Sequence, residues 1–293
     1  MDKYIGMWNN FDEEKYSNDY HFDFAGIEFC SLISKDEIHK IKKFSKERNF
    51  KIGIHCPIDI SNYKYRDPLV NHFEETEREE AFSMLEEELK LASELNAKYY
   101  LLHFPKPVLL DDEVDFSIVP FNDYEVMKSS DISEEEFEKL CEMTFKRLSV
   151  LGYKFNIKII LELEFLSKWI YKRNLLEDLL KRYENIRLCL DTSRMHVNSV
   201  LDKNFDLYTF TKRMNKYIDN LHISNVQVKD KLFNRHNPAL ENLSEKDGWC
   251  NLKKIFKQLN KPENILYEHN SKRISKSELT ECYKWIKEDL EKR

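Results

Sequence analysis

The sequence predicts a (β/α)8 barrel, an α/β fold, for this chain of 293 residues. Eight short apolar runs alternate with longer amphipathic segments, and this order is typical of a parallel sheet covered by helices. A doubly wound open sheet is the rival architecture, but the chain has only 5 glycines and lacks the glycine-rich first turn of that fold. No repeat or low-complexity tract divides the chain, so we expect one domain over residues 1–293.

The strand candidates are runs of about six residues in which aliphatic, aromatic and β-branched side chains dominate. Their length suits strands better than helices, because helical segments are usually at least twice as long. In chain order they are KYIGMW (3–8), FAGIEF (24–29), KIGIHC (51–56), KYYLLH (98–103), IKIILE (157–162), IRLCLD (186–191), IDNLHI (218–223) and NILYEH (264–269).

The segments between the strands carry apolar residues at helical spacing. The first of them, SKDEIHKIKKFSKERN (34–49), begins with Ser34 and Glu37 in the pattern of a capping box, which marks the start of a helix. The other helix candidates are residues 77–96, 132–155, 172–183, 205–217, 251–260 and 276–293.

One connection is unusually long. Residues 104–131 follow the predicted strand that ends at His103, and no helix candidate begins before residue 132. Long loops in compact domains often form lids or binding elements, so a lid is one interpretation of this segment. A surface insertion is the other.

Composition and charge favour a small-molecule partner. The net charge of −6 argues against non-specific nucleic-acid binding, which needs a basic face. Six scattered cysteines without a CxxC pair indicate reduced thiols, and the N-terminal MDKYIGMWNN lacks the features of a secretory signal. No apolar run approaches the roughly 20 residues of a membrane span. We therefore expect a cytoplasmic protein that binds neither nucleic acid nor a membrane.

Ionisable side chains close six consecutive predicted strands. A barrel of this kind carries its chemistry at the C-terminal ends of its strands, so the fold would bring these side chains around one axis. Carboxylates gathered there repel one another unless a cation compensates them, and carboxylate with imidazole suits Mn²⁺, Co²⁺, Mg²⁺ or Zn²⁺. The pattern therefore predicts a divalent metal ion. The six residues are His55, His103, Glu162, Asp191, His222 and Glu268.

Each of these residues also has a structural interpretation. A single histidine at a strand end is often only hydrogen-bonded within the fold. Asp191 precedes Thr192 and Ser193, a context in which aspartate often caps a helix. Glu164 lies on the same face of its strand as Glu162, because strand side chains alternate, so either glutamate could be the ligand.

The strand-end motifs GIHCP, LLHFP, IILELE, LCLDT, NLHIS and ILYE resemble, in this order, those of the xylose isomerase-like TIM barrels. That superfamily includes sugar and sugar-phosphate isomerases and epimerases, inosose dehydratases and abasic-site nucleases of the endonuclease IV type. The resemblance extends over nearly the whole chain. It implies a metal held by the glutamate, aspartate, histidine and glutamate of strands five to eight, which are Glu162, Asp191, His222 and Glu268.

Two positions depart from the nuclease branch of this superfamily. Many relatives carry a histidine three residues after the strand-six aspartate, where this chain has Arg194 and reaches His196 two residues later. The segment FNRHNPA resembles the Asp-Arg-His segment of the nucleases, with Asn234 in place of the aspartate and His236 matching the histidine. Neither arginine nor an amide is a good zinc ligand, so abasic-site cleavage is not expected. The histidines at 55 and 103, with Glu162, keep the pattern of a further metal position.

The resemblance implies a metal-dependent isomerase or epimerase of carbohydrate metabolism that acts on a sugar, a sugar phosphate or a related polyol. Glu162 and Glu268 would exchange a proton at carbon, while the metal polarises neighbouring oxygens and stabilises an enediolate. Arg194 would pair with a phosphate or carboxylate, or else form a salt bridge to a nearby acid. Expected substrate contacts are His55, His103, Arg194, His196 and His236.

Other functions would use the same residues. They are an endonuclease IV-like metal-dependent phosphodiesterase, a dehydratase or natural-product tailoring enzyme, and a non-catalytic binding barrel. Retention of all four implied ligands disfavours the non-catalytic barrel. The sequence leaves open the substrate, the metal, whether one or two ions bind, and the oligomeric state.

Overall fold

Eight parallel strands form a closed barrel in the computed structural model, which describes residues 1–21, 23–32, 34–59 and 63–291. The first strand pairs with the last, where Asp2 lies opposite Asn264, and this pairing closes the sheet. The (β/α)8 barrel predicted from the sequence is therefore confirmed. Its strands are β1 (Asp2–Trp8), β2 (Gly26–Cys30), β3 (Lys51–His55), β4 (Tyr99–Phe104), β5 (Lys158–Leu163), β6 (Ile186–Asp191), β7 (Ile218–Ile223) and β8 (Asn264–Tyr267).

Helices follow the strands and cover the outside of the barrel. A large apolar cluster fills the space between the two layers. Within the described ranges the α-helices are α1 (Glu13–Asp19), α2 (Lys35–Arg48), α3 (Glu75–Glu94), α4 (Glu134–Phe155), α5 (Lys168–Tyr171), α6 (Leu175–Arg182), α7 (Thr192–Leu201), α8 (Leu207–Met214), α9 (Leu252–Phe256) and α10 (Lys276–Glu291).

The sequence pattern predicts neither α1 nor α7. Helix α1 buries only Asp19, so it has no apolar stripe to detect. Helix α7 is rich in small polar and β-branched residues of low helix propensity. Its start is fixed instead by Asp191, whose side chain accepts a hydrogen bond from the Arg194 backbone N–H and thereby caps the helix.

A separate apolar layer fills the lumen of the barrel. The aromatic members of this layer need space that other strands provide: a Cβ atom on Gly53 would lie 2.5 Å from Cζ of Tyr99. The layer closes the lumen, so the polar ends of the strands face only the mouth above it. Its residues are Tyr4, Tyr99, Leu101, Ile160, Cys189 and Leu266.

Two additions to the barrel lie at the C-terminal ends of the strands. The long connection contains the short parallel strands Val108–Leu110 and Val126–Lys128. After β7, the strands Asn225–Val228 and Leu232–Asn237 form an antiparallel hairpin. Both additions contribute to one apolar cluster that also contains Phe165. The predicted lid segment thus has a small core of its own, and its role as a lid stays a prediction.

The cysteines agree with the reduced thiols that the sequence indicates. All six cysteines are free and buried. Across the described ranges, the helices do not combine the length and apolar character that crossing a membrane requires.

Glu88 of α3 is a buried carboxyl. We expect it to give the protein an unusual dependence of stability on pH. It accepts hydrogen bonds from the backbone N–H groups of Ile58 and Asp59 and from the Tyr100 hydroxyl. Burial nevertheless raises the pKa of Glu88 from its ordinary value of 4.5 to about 7. The folded protein therefore binds a proton more tightly than the unfolded chain between these two values, and the contribution of Glu88 to stability falls as the pH rises through this window.

Glu88→Gln is expected to remove this slope. The difference in unfolding free energy between wild type and variant should change by about 3 kcal/mol between pH 4.5 and pH 7, in favour of the wild type at the acid end. Urea titrations at several pH values measure this difference. Glu86→Gln, an exposed position on the same helix, is the matched control. A wild-type-minus-variant difference that does not change with pH would contradict the assignment.

Candidate metal centre and active-site cavity

The six predicted strand-end residues are all buried at the C-terminal mouth of the barrel. The register of the sheet explains how they meet. His103 of β4 lies opposite Glu162 of β5, and Asp191 of β6 lies opposite His222 of β7. Paired residues in adjacent strands are about 5 Å apart and point to the same side of the sheet, so the closed barrel turns all of these side chains toward its axis.

Three of these residues surround a gap of the size of a divalent cation. His222 Nδ1 lies 3.5 Å from Glu162 Oε2 and 3.6 Å from Glu268 Oε2. His222 Nδ1 and Glu268 Oε2 are buried and have no hydrogen-bond partner among the described residues. Ligand atoms that bind one cation at about 2.1 Å lie roughly 3.0–3.5 Å from one another. The residues therefore fit a metal ion, and we refer to this set as the Glu-His-Glu group.

A second group of donor atoms shares Glu162. His55 Nε2 lies 3.2 Å from Glu162 Oε2, and His103 Nε2 lies 3.6 Å from the same oxygen. His55 Nδ1 is 2.8 Å from the Cys56 carbonyl, to which it donates, so Nε2 is the ring nitrogen that would bind a metal ion. The geometry places Glu162, and not Glu164, at the junction of both groups.

Glu28 orients His222 and was not among the predicted site residues. Its Oε2 atom lies 3.3 Å from His222 Nε2 and accepts a 2.7 Å hydrogen bond from the Tyr99 hydroxyl. Because a carboxylate only accepts, Nε2 donates in this contact, and Nδ1 is the ring nitrogen that faces Glu162 and Glu268 and would bind a metal ion. The one available signal was an acidic residue inside the otherwise apolar strand GIEFC.

Glu28→Gln is expected to weaken metal binding about 10- to 100-fold, because a neutral amide fixes the tautomer and orientation of His222 less firmly than a carboxylate does. Competition with a fluorescent chelator measures the metal dissociation constant. Glu47→Gln, an exposed glutamate of α2, serves as the control. An unchanged dissociation constant would show that Glu28 does not act through His222.

Asp191 lies beside this group without joining it. Its Oδ1 atom accepts a 2.9 Å hydrogen bond from the Arg194 backbone N–H, as the cap of α7. Burial and the neighbouring Glu268 carboxylate raise the pKa of Asp191 to about 6. The helix-cap interpretation of Asp191 is therefore what its hydrogen bond shows, and its role as a fourth metal ligand stays a prediction.

Arg194 supplies positive charge to the two carboxylates at the end of β5. Its Nη1 atom lies 2.8 Å from Glu164 Oε1 and 3.6 Å from Glu162 Oε1. Burial alone would raise the pKa of these carboxyls, but the Arg194 guanidinium holds both below their ordinary value, and Glu162 well below it. The arginine thus forms the salt bridge that was the alternative to substrate binding.

A third set of groups joins His103 and Glu164 to residues that were not predicted, and it includes a buried lysine. His103 Nδ1 lies 3.1 Å from Asp67 Oδ1 and 3.4 Å from Glu164 Oε1. Lys106 Nζ lies 3.4 Å from Asp67, 3.5 Å from Glu164 and 3.2 Å from Glu125. Asp67, His103 and Glu164 could also hold a metal ion, but Lys106, together with Arg194 beside Glu164, already supplies positive charge to these carboxylates.

The predicted substrate contacts His236 and His196 lie at different distances from the Glu-His-Glu group. His236, on the hairpin, has its Nδ1 atom 3.9 Å from Glu268 Oε1. The structure brings His196 to a different place: its Nε2 atom is 3.1 Å from the Gly248 carbonyl, and burial lowers its pKa. Asn234 is exposed and donates its side-chain amide to Gln227 on the same hairpin.

Two adjoining cavities open at this mouth. The larger, of about 790 Å³, is lined by His55 and Glu268 together with Trp8 and Lys15. The smaller, of about 310 Å³, lies between the long connection and the hairpin. Volumes in this range suit small-molecule ligands. The residues that line both cavities are Arg66, His103, Arg194, Arg235 and His236.

Comparison with known proteins agrees with the fold and with the resemblance of the strand-end motifs. The family model described as xylose isomerase-like TIM barrel matches residues 21–288. Among solved structures, a D-tagatose 3-epimerase-like protein is similar over 98% of this chain and 97% of its own, with a TM-score of 0.65 and 14% identity. The 3-keto-D-glucoside 4-epimerase of E. coli is similar over 97% and 98%, with a TM-score of 0.63 and 14% identity.

The same fold also occurs in a protein described by a different activity. An AP endonuclease, family 2, from Brucella melitensis is similar over 97% of this chain and 98% of its own, with a TM-score of 0.57 and 15% identity. No curated protein matches the sequence. At these identities the structural similarity supports the fold, and the reaction has to be argued from the site itself.

Proposed function

The chain belongs to the xylose isomerase-like TIM barrel family, and on this premise we propose that it is a metal-dependent isomerase or epimerase of a sugar or related polyol. The observation that carries the proposal is the Glu-His-Glu group at the mouth, where His222 Nδ1 and Glu268 Oε2 are buried near Glu162 without a hydrogen-bond partner among the described residues. The 3-keto-D-glucoside 4-epimerase and the D-tagatose 3-epimerase-like protein with the same fold support the choice of substrate class.

Glu162 and Glu268 are the groups that would move the proton. Glu162 lies in β5 and Glu268 directly follows β8. Their Oε2 atoms lie 3.5 Å and 3.6 Å from His222 Nδ1. The divalent ion, held by Glu162, His222, Glu268 and the predicted ligand Asp191, would supply Lewis acidity toward neighbouring substrate oxygens. Glu162 and Glu268 would remove and return the proton on the substrate carbon, one as base and the other as acid.

The surrounding residues keep Glu162 charged and fix the orientation of His222. Arg194 holds Glu162 ionised, and Glu28 fixes the ring of His222. His55, His103 and His236 line the larger cavity and would donate to or accept from substrate hydroxyls. His196 faces Gly248 and would act only by positioning α7 against that segment. The shared oxygen of Glu162 also supports a second ion beside His55 and His103.

The nuclease is the second candidate, because an AP endonuclease shares the fold. Two observations weigh against it. Arg194 contacts Glu162 and Glu164, in the place where many relatives have a histidine, and Asn234 donates to Gln227 instead of reaching the strand ends. The zinc position that these two residues would complete in a nuclease would therefore lack two protein ligands.

The experiment that tests the proposal follows exchange at carbon. Metal-loaded protein is incubated in D₂O with ketoses, inososes and their phosphorylated or carboxylated derivatives, and products are read by NMR. We expect conversion of at least one compound with deuterium entering at the reacting carbon, and loss of conversion after treatment with a chelator.

Two controls define the opposite outcomes. A DNA duplex with one abasic site is incubated with the protein and with Zn²⁺ or Mn²⁺, and no efficient nicking is expected. Rapid nicking that Glu162→Gln abolishes would replace the isomerase with the nuclease. Conversion of a sugar that survives both Glu162→Gln and Glu268→Gln would refute the assigned acid and base.

A further inference from the structure

Three arginines that line the larger cavity differ from most other arginines of the protein, because no carboxylate among the described residues pairs with them. Most arginines outside the cavity pair with carboxylates, as Arg48 does with Glu13 and Arg147 with Glu79, whereas Arg78 donates to backbone carbonyls. In the part of the chain that the structure describes, no carboxylate lies within ion-pair distance of the guanidinium groups of three arginines that line this cavity. These three, Arg66, Arg235 and Arg273, are called the rim cluster below.

The rim cluster is assembled from three separate segments of the chain. Arg66 precedes Asp67 in the connection after β3, Arg235 lies on the hairpin after β7, and Arg273 lies between β8 and α10. Arg273 donates a 2.7 Å hydrogen bond to the Arg235 carbonyl, which joins two of these segments. Arg66 and Arg235 line both cavities, so they border the region where the two cavities adjoin.

Such a gathering of positive charge is unfavourable by itself. Arg66 lies close enough to Arg194 for the two guanidinium charges to repel each other. Arg194 already forms salt bridges with Glu162 and Glu164, so its guanidinium group is less available to a ligand than those of the rim cluster. The acids that line the cavity are Asp12, Glu14, Asp19 and Glu268, and three of them attract Lys15. Asp67 attracts Arg66, but its carboxylate already faces His103 and Lys106. Within the described residues, no carboxylate pairs directly with the rim cluster.

We propose that the rim cluster binds an anionic group of the substrate, so that the substrate is a sugar derivative with a carboxylate or phosphate remote from its reacting carbon. The sugar part of this inference rests on the proposed function. Guanidinium groups match both anions because their planar forks donate two parallel hydrogen bonds to paired oxygens. The polyol end would lie at the Glu-His-Glu group, and the anionic end would lie at the rim.

Calorimetric titration tests this subsite without requiring turnover. The probes are inorganic phosphate, D-fructose 6-phosphate, D-glucuronate and the neutral D-fructose, each with Mn²⁺-loaded and with chelator-treated protein. We expect at least one anionic sugar to bind ten times more tightly than D-fructose or better. Arg66→Gln combined with Arg235→Gln should remove that advantage and leave the affinity for D-fructose within twofold. Arg147→Gln, whose partner Glu79 lies on the outer surface, is the matched control.

The outcomes separate this inference from the proposed function. Preference for the phosphate or for the carboxylate probe supports the subsite and identifies its anion. Binding of inorganic phosphate that the double variant abolishes, with no sugar converted, upholds the subsite while the isomerase proposal fails. Equal affinities for neutral and anionic probes, or a preference that survives the double variant, overturn it. Tight binding of an abasic DNA duplex that the double variant weakens would also overturn it, because the rim would then serve a nucleic-acid backbone.

Discussion

Glu162→Gln is expected to lower turnover about 10²- to 10⁴-fold, the usual contribution of a positioned general acid or base. The loss should extend to metal binding, because Glu162 Oε2 is the atom that both donor groups share. A neutral amide keeps the volume of the side chain and removes the charge, so the change tests chemistry more than packing. Initial rates in D₂O and elemental analysis of the purified variant measure the two effects.

Glu164→Gln is the matched control for this substitution. Glu164 directly follows β5 and lies against the same Arg194, but it is not part of the Glu-His-Glu group. We expect this variant to retain its metal. Equal loss of metal from the two variants would mean that Arg194 and its charge balance, and not Glu162 as a ligand, determine the occupancy of the site.

His222→Ala should reduce the metal content from about one ion per chain to less than a tenth of that value, since imidazole supplies the one nitrogen ligand of the Glu-His-Glu group. It also leaves the buried carboxylates of Glu162, Glu268 and Glu28 without their common partner. Elemental analysis of protein purified without chelator measures the content. Far-UV circular dichroism and the melting temperature must show that the variant is folded.

Asp191→Asn completes this test, because asparagine caps helices as well as aspartate does. Its effect on metal affinity is therefore not caused by unwinding of α7. A loss of affinity of tenfold or more is expected if Asp191 is the fourth ligand. Unchanged affinity would restrict Asp191 to its role as the cap, and metal content that is unchanged in His222→Ala would remove the Glu-His-Glu group from the mechanism altogether.

The barrel and most of its strand ends could be predicted because each depends on a local pattern. A run such as IKIILE predicts a buried strand, and the closure of the barrel then brings its terminal Glu162 toward the axis. Glu28 could not be predicted in the same way. It is a single acid inside a strand, and only the packing of Tyr99 and His222 against it gives it a role.

Asp67 and Lys106 illustrate a second limit. Both lie in connections, and their meeting with His103 depends on how two loops fold over the mouth. Asp191 and Arg194 illustrate a third, because the sequence allowed two interpretations of each. The hydrogen bond to the helix N-terminus and the salt bridge to Glu164 give each residue a structural role, and neither contact could be read from residue spacing. Metal binding by Asp191 and substrate binding by Arg194 stay predictions.

The anchoring of the long connection has a consequence for how ligands reach the centre. Lys106 ties its beginning to Glu125 near its end, the Lys168 backbone N–H donates to Asp111, and the ring of Phe121 lies 5.3 Å from that of Phe165. A segment held at both ends and at its middle forms a wall on one side of the mouth. Substrate and product would then enter and leave on the opposite side, over Trp8 and α1. A ligand with a bulky extension would have to direct that extension to the same side.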